Sequence, residues 1–159
     1  MSPVDGARLQ ELSDRADICD VQLRYATAVD SRDWALLRTC FTDDVEADFS
    51  SGFGFPAVRC TADEWIEKLA PVMTALTATQ HMITNHVITF KDDAHATCVA
   101  YVQASHHRPN STGDSELTVH GFYTNRFERT SSGWRIAACK LTVSWMTGNS
   151  GVFGGLSQR

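Results

Sequence analysis

The order of the secondary-structure patterns along the chain restricts its fold more than any other sequence feature. Four long runs in the second half of the 159 residues are rich in β-branched and aromatic side chains and alternate in polarity, which is typical of β-strands. These predicted strands cover residues 80–90, 96–107, 117–129 and 134–145. Turns separate them and the helical patterns all come earlier, so we predict an α+β domain in which a curved antiparallel sheet wraps around the helices.

Three helices are predicted in the first half of the chain. The first covers about residues 6–29, where apolar residues recur at steps of three and four. Its apolar stripe consists of Leu9, Leu12, Ala16, Cys19, Leu23 and Ala26. The second covers residues 33–40, with Ser31 as its capping residue. The third begins at the capping pattern of residues 61–64 and runs to about residue 69, where Pro71 closes or kinks it.

Turn patterns occupy the segments between and after these helices. Asp43-Asp44 is predicted to form a turn, followed by a short strand over residues 45–49. Residues 50–58 combine glycine and proline with phenylalanine, which suggests a mobile apolar loop. The chain is expected to form a single domain, 1–159, in which the Gly- and Ser-rich residues 147–159 are a C-terminal tail or lid.

Composition and charge argue against several classes of protein. Hydrophobic residues make up 43% and charged residues 21% of the chain, as in soluble globular domains. Acidic and basic residues are mixed along the chain and give a net charge of -5, so a nucleic-acid partner is not expected. No apolar run approaches the roughly 20 residues of a membrane span, and the first residues lack a signal-peptide pattern. We therefore predict a cytoplasmic protein with no membrane partner.

Neither disulfides nor a metal site are predicted. The five cysteines are odd in number, widely spaced and without a Cys-x-x-Cys pair, so we expect reduced thiols packed as small apolar residues. No pair of histidines or carboxylates has convincing metal-ligand spacing, since the adjacent His106 and His107 point to opposite faces of a predicted strand.

Two polar residues at the ends of predicted elements are candidates for catalysis. Asp30 lies where the first helix ends, and His81 lies at the start of the first long strand. A carboxylate that orients an imidazole makes that ring a usable general base near neutral pH. Each residue also has a structural interpretation, because Asp30 can end or cap a helix and His81 can be a hydrogen-bonded strand residue. The residues alone leave both interpretations open.

Strand alternation groups further polar side chains on one face of the predicted sheet. Asn85 shares the face of His81, and Asn125 shares the face of Tyr123. His106 ends an otherwise apolar face, although a single bulge would place the following histidine there instead. An apolar cavity with a few converging polar groups is typical of a small-molecule site.

Together these motifs resemble the SnoaL-like branch of the NTF2-like superfamily. The motifs are Tyr-x-x-x-x-Asp-x-x-Asp-Trp over 25–34, Gln80-His81, a strand ending in histidine, Tyr-Thr-Asn over 123–125 and Gly-Trp-Arg-Ile over 133–136. The resemblance covers about residues 8–146 and is strongest to the scytalone dehydratase branch, with lindane dehydrochlorinase and bile acid 7α-dehydratase as relatives. It implies a cone, in which a strongly curved, mostly antiparallel sheet is closed by N-terminal helices around a deep pocket.

The resemblance also implies roles for individual residues. Asp30 and His81 match the pair that acts as general base in the family, and His106 matches a second pocket histidine. His106 or Tyr25 would protonate the leaving group, while Asn125 and Tyr123 would orient the substrate oxygen. The full set of predicted substrate-binding residues is Tyr25, Val29, Phe49, Phe53, Asn85, Tyr123, Asn125 and Trp145.

Two positions depart from the scytalone dehydratase pattern. Val29 and Phe49 stand where that enzyme is expected to carry tyrosines that hold a water against the substrate carbonyl. Tyr123, which is predicted on the cavity face, is available to replace one of them. Scytalone itself is therefore not the expected substrate.

The implied function is that of a cofactor-independent lyase of the dehydratase type. An Asp–His base removes a carbon-bound proton, and water or another leaving group is eliminated from a cyclic, largely apolar small molecule, with no metal or organic cofactor. An isomerase or polyketide cyclase would use the same base. A non-catalytic ligand-binding module, or a protein like a dioxygenase small subunit, would share the fold. A homo-oligomer is expected, with a trimer favoured over a dimer.

Overall fold

Four α-helices, six β-strands and a terminal 3-10 helix make up the residues that the computed structural model describes, 3–109 and 112–154. The first half contains α1 (Pro3–Ser31), α2 (Trp34–Arg38), β1 (Phe41–Asp48), α3 (Ser50–Phe53), β2 (Val58–Thr61) and α4 (Ala62–Thr74). The second half contains β3 (Ala78–Phe90), β4 (His95–His107), β5 (Glu116–Thr130), β6 (Gly133–Gly148) and the 3-10 helix (Ser150–Phe153). None of the described helices is long and apolar enough to cross a membrane.

The strands form one mixed sheet in the order β2-β1-β6-β5-β4-β3. The last four strands form the predicted antiparallel meander. Strand β1 pairs in parallel with β6, and β2 pairs antiparallel with β1 at the edge. Helix α1 packs against β3 and β6, while α4 packs against β1 and β2. The predicted α+β class, with helices followed by a meander, is confirmed.

Irregular pairing bends this sheet at defined positions. The register shifts between His120 and Gly121 on β5, and between Thr84 and Val87 on β3. At Gly121 a Cβ atom would lie 2.1 Å from the carbonyl oxygen of Thr142, so only glycine fits without a backbone shift. Bulges of this kind increase the local bend and twist, as a sheet that encloses a cavity requires.

The core between α1 and the sheet contains one buried carboxylate. Asp14 on α1 is only 5% exposed. It accepts hydrogen bonds from Arg129 Nη2 at 2.6 Å and from the indole Nε1 of Trp134 at 3.1 Å. The guanidinium of Arg129 also lies over the Trp134 ring, 4.4 Å from its centroid. These contacts join the middle of α1 to the hairpin between β5 and β6.

The second helix is capped by a different residue from the one predicted. Ser31 lies in the last turn of α1, where its hydroxyl donates to the carbonyl oxygen of Thr27 at 2.8 Å. The cap of α2 is Asp33, whose carboxylate accepts from the backbone nitrogen of Leu36 at 2.9 Å. Both serine and aspartate can cap a helix, so the choice depended on where α1 ended.

Helix α4 continues past its proline. The predicted end near residue 69 is wrong, because Pro71 lies inside the helix and its carbonyl oxygen accepts from the nitrogen of Ala75 at 3.1 Å. The predicted start is confirmed. Thr61 Oγ1 accepts from the nitrogen of Glu64 at 3.2 Å, and the Glu64 carboxylate accepts from the nitrogen of Thr61 at 2.9 Å.

Two segments that were predicted as a turn and a loop adopt more regular structure than their composition indicated. The predicted turn at Asp43-Asp44 is wrong, because both residues lie within β1. The pairing of β1 with β6 is interrupted between Phe41 and Glu46, so the acidic pair marks a strand irregularity instead of a turn. The predicted loop over residues 50–58 contains α3 and the first residue of β2, a strand that the sequence patterns did not reveal.

All five cysteines are unbonded thiols, as predicted. Cys40, Cys98 and Cys139 are buried, and the other two are half-buried. Burial raises the pKa of the Cys139 thiol to about 12 and that of Cys40 to about 11, so these thiols stay protonated at neutral pH. They therefore act as small apolar core residues.

Candidate active site

A cavity of about 400 Å³ lies between the inner face of the sheet and α1, α3 and α4. Its sheet side is formed by Val102 and Ala104 of β4, Val119 and Tyr123 of β5, and Leu141 of β6. The helices and the β2 region contribute further apolar and aromatic side chains. The size and the lining are typical of a site for a small, largely apolar molecule.

The last turn of α1 brings Asp30 against His81 at this cavity. His81 Nδ1 lies 2.7 Å from Asp30 Oδ1, and the backbone nitrogen of His81 donates to Asp30 Oδ2 at 2.8 Å. The side chain of His81 is 6% exposed and lines the cavity. A carboxylate accepts hydrogen bonds, so Nδ1 carries the proton and Nε2 is left as the basic nitrogen of the neutral ring.

The side chain of Arg32 holds the end of α1 in place. Its backbone has φ of 57°, and its guanidinium donates to the carbonyl oxygen of Asp30. The same group donates to the carbonyl oxygens of Met73 at 3.2 Å and Leu76 at 3.1 Å. Arg32 therefore ties the turn that carries Asp30 to the end of α4 and to the segment leading into β3.

Three donors keep the Asp30 carboxylate ionised. Desolvation alone would raise its pKa, but the hydrogen bonds from the ring and backbone of His81, together with one from Thr79, outweigh it. The pKa of Asp30 therefore lies below its ordinary value. The Thr79 hydroxyl donates to Asp30 Oδ1 at 2.8 Å. An ionised Asp30 stabilises the imidazolium that forms when His81 accepts a proton.

Replacing Thr79 with Val tests this hydrogen bond. Valine keeps the shape but removes the donor, so we expect a loss of about 1 kcal/mol, or about fivefold in turnover, in any reaction that uses the pair. Thr89→Val, an exposed position on the same strand, is the control and should leave turnover unchanged. Equal rates for both variants would show that Thr79 does not support Asp30.

His106 lies beside the pair and is buried. Its ring centroid is 5.6 Å from that of His81, and the two rings are perpendicular, at 86°. Its Nδ1 donates to the carbonyl oxygen of Leu117 at 3.3 Å. Burial, with a smaller contribution from His81, lowers the pKa of His106 to about 4, so the ring is neutral at physiological pH. The neighbouring His107 faces outward near Glu116, which resolves the choice left open by the sequence.

Two buried phenols supply hydrogen-bond donors. Tyr25 and Tyr123 both line the cavity, and their ring centroids are 5.8 Å apart. Burial raises the pKa of both hydroxyls, that of Tyr25 well above its usual range, so both remain protonated. Val29, Phe49 and Phe53, which were predicted to bind substrate, also line the cavity.

Three predicted substrate-binding residues lie away from the cavity. Asn125 is on the inner face but under α1, where its Nδ2 donates to Gln22 Oε1 at 2.9 Å. Asn85 is exposed at the β3 irregularity, with φ of 56°, so the alternation from His81 does not reach it. Trp145 is on the outer face of the sheet, 58% exposed and stacked on His120.

Several lining residues were not identified from the sequence. Trp65, Lys68, Leu69 and Val72 occupy one face of α4, and Phe153 comes from the terminal 3-10 helix. Helical spacing of residues 65, 68, 69 and 72 was the available signal for α4. Phe153 packs 4.8 Å from the ring of His106, and with Val152 it is buried. The part of the predicted tail or lid over residues 155–159 lies outside the described residues.

The sequence profile of the SnoaL-like domain matches residues 10–140 of this chain. The chain therefore belongs to the SnoaL-like domain family. No protein of curated function matches the sequence significantly. The resemblance seen in the motifs is confirmed at the level of the family, and the cone-type fold with it.

Solved structures agree with this membership. The chain is 34% identical to the Kfla4162 protein from Kribbella flavida, with 91% of this chain and 99% of that one covered and a TM-score of 0.86. A hexachlorocyclohexane dehydrochlorinase, LinA-type3 from Novosphingobium barchaimii, is 18% identical, with 91% and 95% covered and a TM-score of 0.74. A candidate scytalone dehydratase from Novosphingobium aromaticivorans is 19% identical, with 88% and 90% covered and a TM-score of 0.75. At 18% and 19% identity, the similarity to the last two structures shows a shared fold and no more.

Proposed function

We propose that this protein is a cofactor-independent lyase in which His81, oriented by Asp30, removes a carbon-bound proton. The observation that carries the proposal is the Asp30–His81 pair, with its 2.7 Å contact, at the wall of an apolar cavity. Structures named as dehydrochlorinase and scytalone dehydratase share this fold. A fold alone does not define a reaction, so the site residues carry the argument.

The proposed reaction is an elimination next to a carbonyl group. His81 Nε2 takes the proton from the carbon beside the carbonyl, and the C–H electron pair forms the new double bond as the β-substituent leaves with its own pair. The buried hydroxyls of Tyr25 and Tyr123 donate to the carbonyl oxygen while negative charge builds up there. A hydroxide leaving group departs as water with the proton that His81 has taken from the substrate carbon.

His106 receives a different role from the one predicted. A ring whose pKa is about 4, and whose Nδ1 proton points at the Leu117 carbonyl, is a poor acid at neutral pH. We assign its Nε2 to accept a hydrogen bond from a substrate hydroxyl. This arrangement orients the substrate beside His81 without supplying a proton.

The neutral state of His106 favours isomerisation or cyclisation as the second candidate function. Because His106 is neutral, it does not protonate a leaving group. The proton held by His81 can then return to a different carbon, which would give an isomer. Such an enzyme would use Asp30 and His81 identically. The two candidates differ only in whether a leaving group departs.

Deuterium exchange separates the candidates. The protein is incubated in D2O with fused-ring ketones that carry a hydroxyl group β to the carbonyl, and products are followed by mass spectrometry and by enone absorbance. Loss of water is the result expected of the proposed lyase. Deuterium uptake without loss of water would favour the isomerase or cyclase, and binding without exchange would favour a non-catalytic ligand-binding module.

We also propose that the protein is a homo-oligomer, with a trimer favoured. Met82, Gln103, His120 and Trp145 form a row of cross-strand partners on the outer face of the sheet. Met82 is 43% and Trp145 58% exposed, and the exposed Tyr101 adjoins the row. Apolar side chains grouped in this way on a surface are typical of an interface between proteins.

Light scattering coupled to gel filtration tests this second proposal. Wild type is expected at three times the chain mass, and the double variant Tyr101→Lys/Trp145→Lys is expected to dissociate, because charged groups are costly to bury. Val4→Lys on the exposed surface of α1 is the control and should keep the wild-type mass. A wild-type monomer would contradict the proposal.

A further inference from the structure

The cavity carries one charged side chain on an otherwise apolar and aromatic wall. Of the described residues that line it, Lys68 is the only lysine, arginine, aspartate or glutamate. It lies on the cavity face of α4, between Trp65 at i−3 and Val72 at i+4. Lys68 is exposed although it lines the cavity, so we infer that its ammonium group lies at the mouth and its aliphatic part against the cavity wall.

The carboxylates near Lys68 on α4 accept hydrogen bonds from other residues. Glu64, one turn earlier on α4, accepts from the nitrogen and the hydroxyl of Thr61. Asp63 accepts from Arg38 Nε at 3.0 Å. Among the described residues, no carboxylate lies within ion-pair distance of the Lys68 ammonium. The hydrogen bonds from Thr61 and, to a smaller extent, the charge of Lys68 lower the pKa of Glu64, but Lys68 makes no direct ion pair with a described residue, and a cation at the entrance of an apolar cavity attracts anions.

A second group on the same helix face lacks a partner. The indole Nε1 of Trp65 is buried and has no hydrogen-bond acceptor among the described residues. Its ring is stacked on Phe49, with centroids 5.3 Å apart, which fixes its orientation at the cavity wall. Buried N–H groups are usually hydrogen-bonded to protein or to water, and a ligand oxygen that reaches this part of α4 would satisfy the indole.

The separation of Lys68 and Met73 along α4 gives a length for the ligand. Met73 also lines the cavity, and its carbonyl oxygen accepts from Arg32, which holds Asp30. Lys68 precedes Met73 by five residues, or about 7.5 Å along the helix axis. This length of the α4 wall leaves room for one to two fused six-membered rings between the Lys68 end and the Met73 end of the cavity.

We propose that the substrate is a cyclic or aromatic molecule with an anionic oxygen group, of which a carboxylate is the simplest, held at the mouth by Lys68 and the Trp65 indole. The rings would occupy the apolar part of the cavity, with the reacting carbon at His81. This inference rests on the proposed function only in taking the cavity as the substrate site.

Calorimetric titration with a matched pair of ligands tests the inference without any reaction. The probes are 2-naphthoate and the neutral 2-naphthamide, which have nearly the same shape. Wild type is expected to bind the carboxylate about three- to tenfold more tightly at low salt, and the preference should shrink as salt is added. Lys68→Met should remove the preference, and Lys68→Glu should reverse it.

Two control variants separate this inference from the proposed reaction. Lys91→Met, in the turn between β3 and β4, should retain the wild-type preference. Asp30→Asn should also retain it, because that residue is assigned to catalysis and not to the anion. An unchanged preference in Lys68→Met, equal binding of both probes by wild type, or no binding of the carboxylate would overturn the inference. A normal preference with no elimination or exchange on any ketone would instead contradict the proposed function.

Discussion

Replacing Asp30 with Asn is expected to lower turnover by about 10²- to 10⁴-fold, the contribution of a positioned general base. Asparagine keeps the size of the side chain but has no charge to stabilise the His81 imidazolium. Its amide group can also donate to His81 Nδ1, which would move the ring proton to Nε2 and block the base. The measurement is the initial rate of elimination on the ketone that wild type converts fastest.

Asp33→Asn provides the matched control for this change. Asp33 is three residues further on, caps α2 and does not line the cavity. Asparagine caps helices about as well as aspartate, so the activity and stability of this variant should stay close to wild type. If Asp30→Asn retains wild-type turnover, the contact between Asp30 and His81 is structural.

Replacing Arg129 with Met is expected to be the most destabilising of the substitutions considered, by about 2–3 kcal/mol at neutral pH. The variant leaves the Asp14 carboxylate, whose side chain is 7% exposed, without its cation. Arg129 itself is 33% exposed, which places the loss below that of a fully buried pair. Urea unfolding of wild type and variant measures the difference in free energy of unfolding.

The stability lost in Arg129→Met should decrease at low pH. The hydrogen bond from Arg129 lowers the pKa of Asp14 in the folded protein, while burial alone would raise it. A group with a lowered folded pKa stabilises the fold above its unfolded pKa and loses that effect as pH falls. The gap in free energy of unfolding between wild type and variant should therefore be largest above about pH 4 and narrow as pH falls below that value, where the wild-type carboxylate takes up a proton. Arg126→Met is the control: Arg126 is on the same strand as Arg129 and forms an exposed ion pair with Glu46 of β1, so its loss should cost under about 1 kcal/mol. A pH-independent gap would contradict this account.

The meander could be predicted because its alternating patterns are local and strong, whereas for the first helix the existence was predicted and the buried face was not. The four alternating runs each specify one apolar face, and the structure buries those faces in the core. The predicted apolar stripe of α1 is wrong, because Leu9, Leu12 and Leu23 are 58%, 57% and 48% exposed. The face of α1 that packs into the core instead carries Ile18, Val21, Tyr25, Ala28 and Val29. Strand β2 escaped prediction because four residues are too few for alternation to be distinguished from a loop. The capping residue of α2 was predicted wrongly for a related reason, since Ser31 and Asp33 both suit that position.

The residues of the candidate site can also be separated into those that a local motif predicts and those that only packing determines. Asp30 and His81 stand next to element ends, where the family motif fixes their positions, and the structure brings them into contact. Asn125 is on the predicted face, but the cavity stops short of it because α1 covers that end of the sheet. Which part of an inner face remains open is decided by packing between distant elements, and strand alternation carries no information about it. The irregularity at Asn85 is likewise invisible to simple alternation.

The state of the His81 ring tests most directly the claim that Asp30 holds it as a base. The ¹⁵N chemical shifts of the histidine ring nitrogens distinguish a protonated from an unprotonated position at a pH where the ring is neutral. In wild type we expect the proton on Nδ1 and none on Nε2, and in Asp30→Asn a shift of the proton toward Nε2. A wild-type ring that carries its proton on Nε2, or spectra that are identical in the two proteins, would contradict the account.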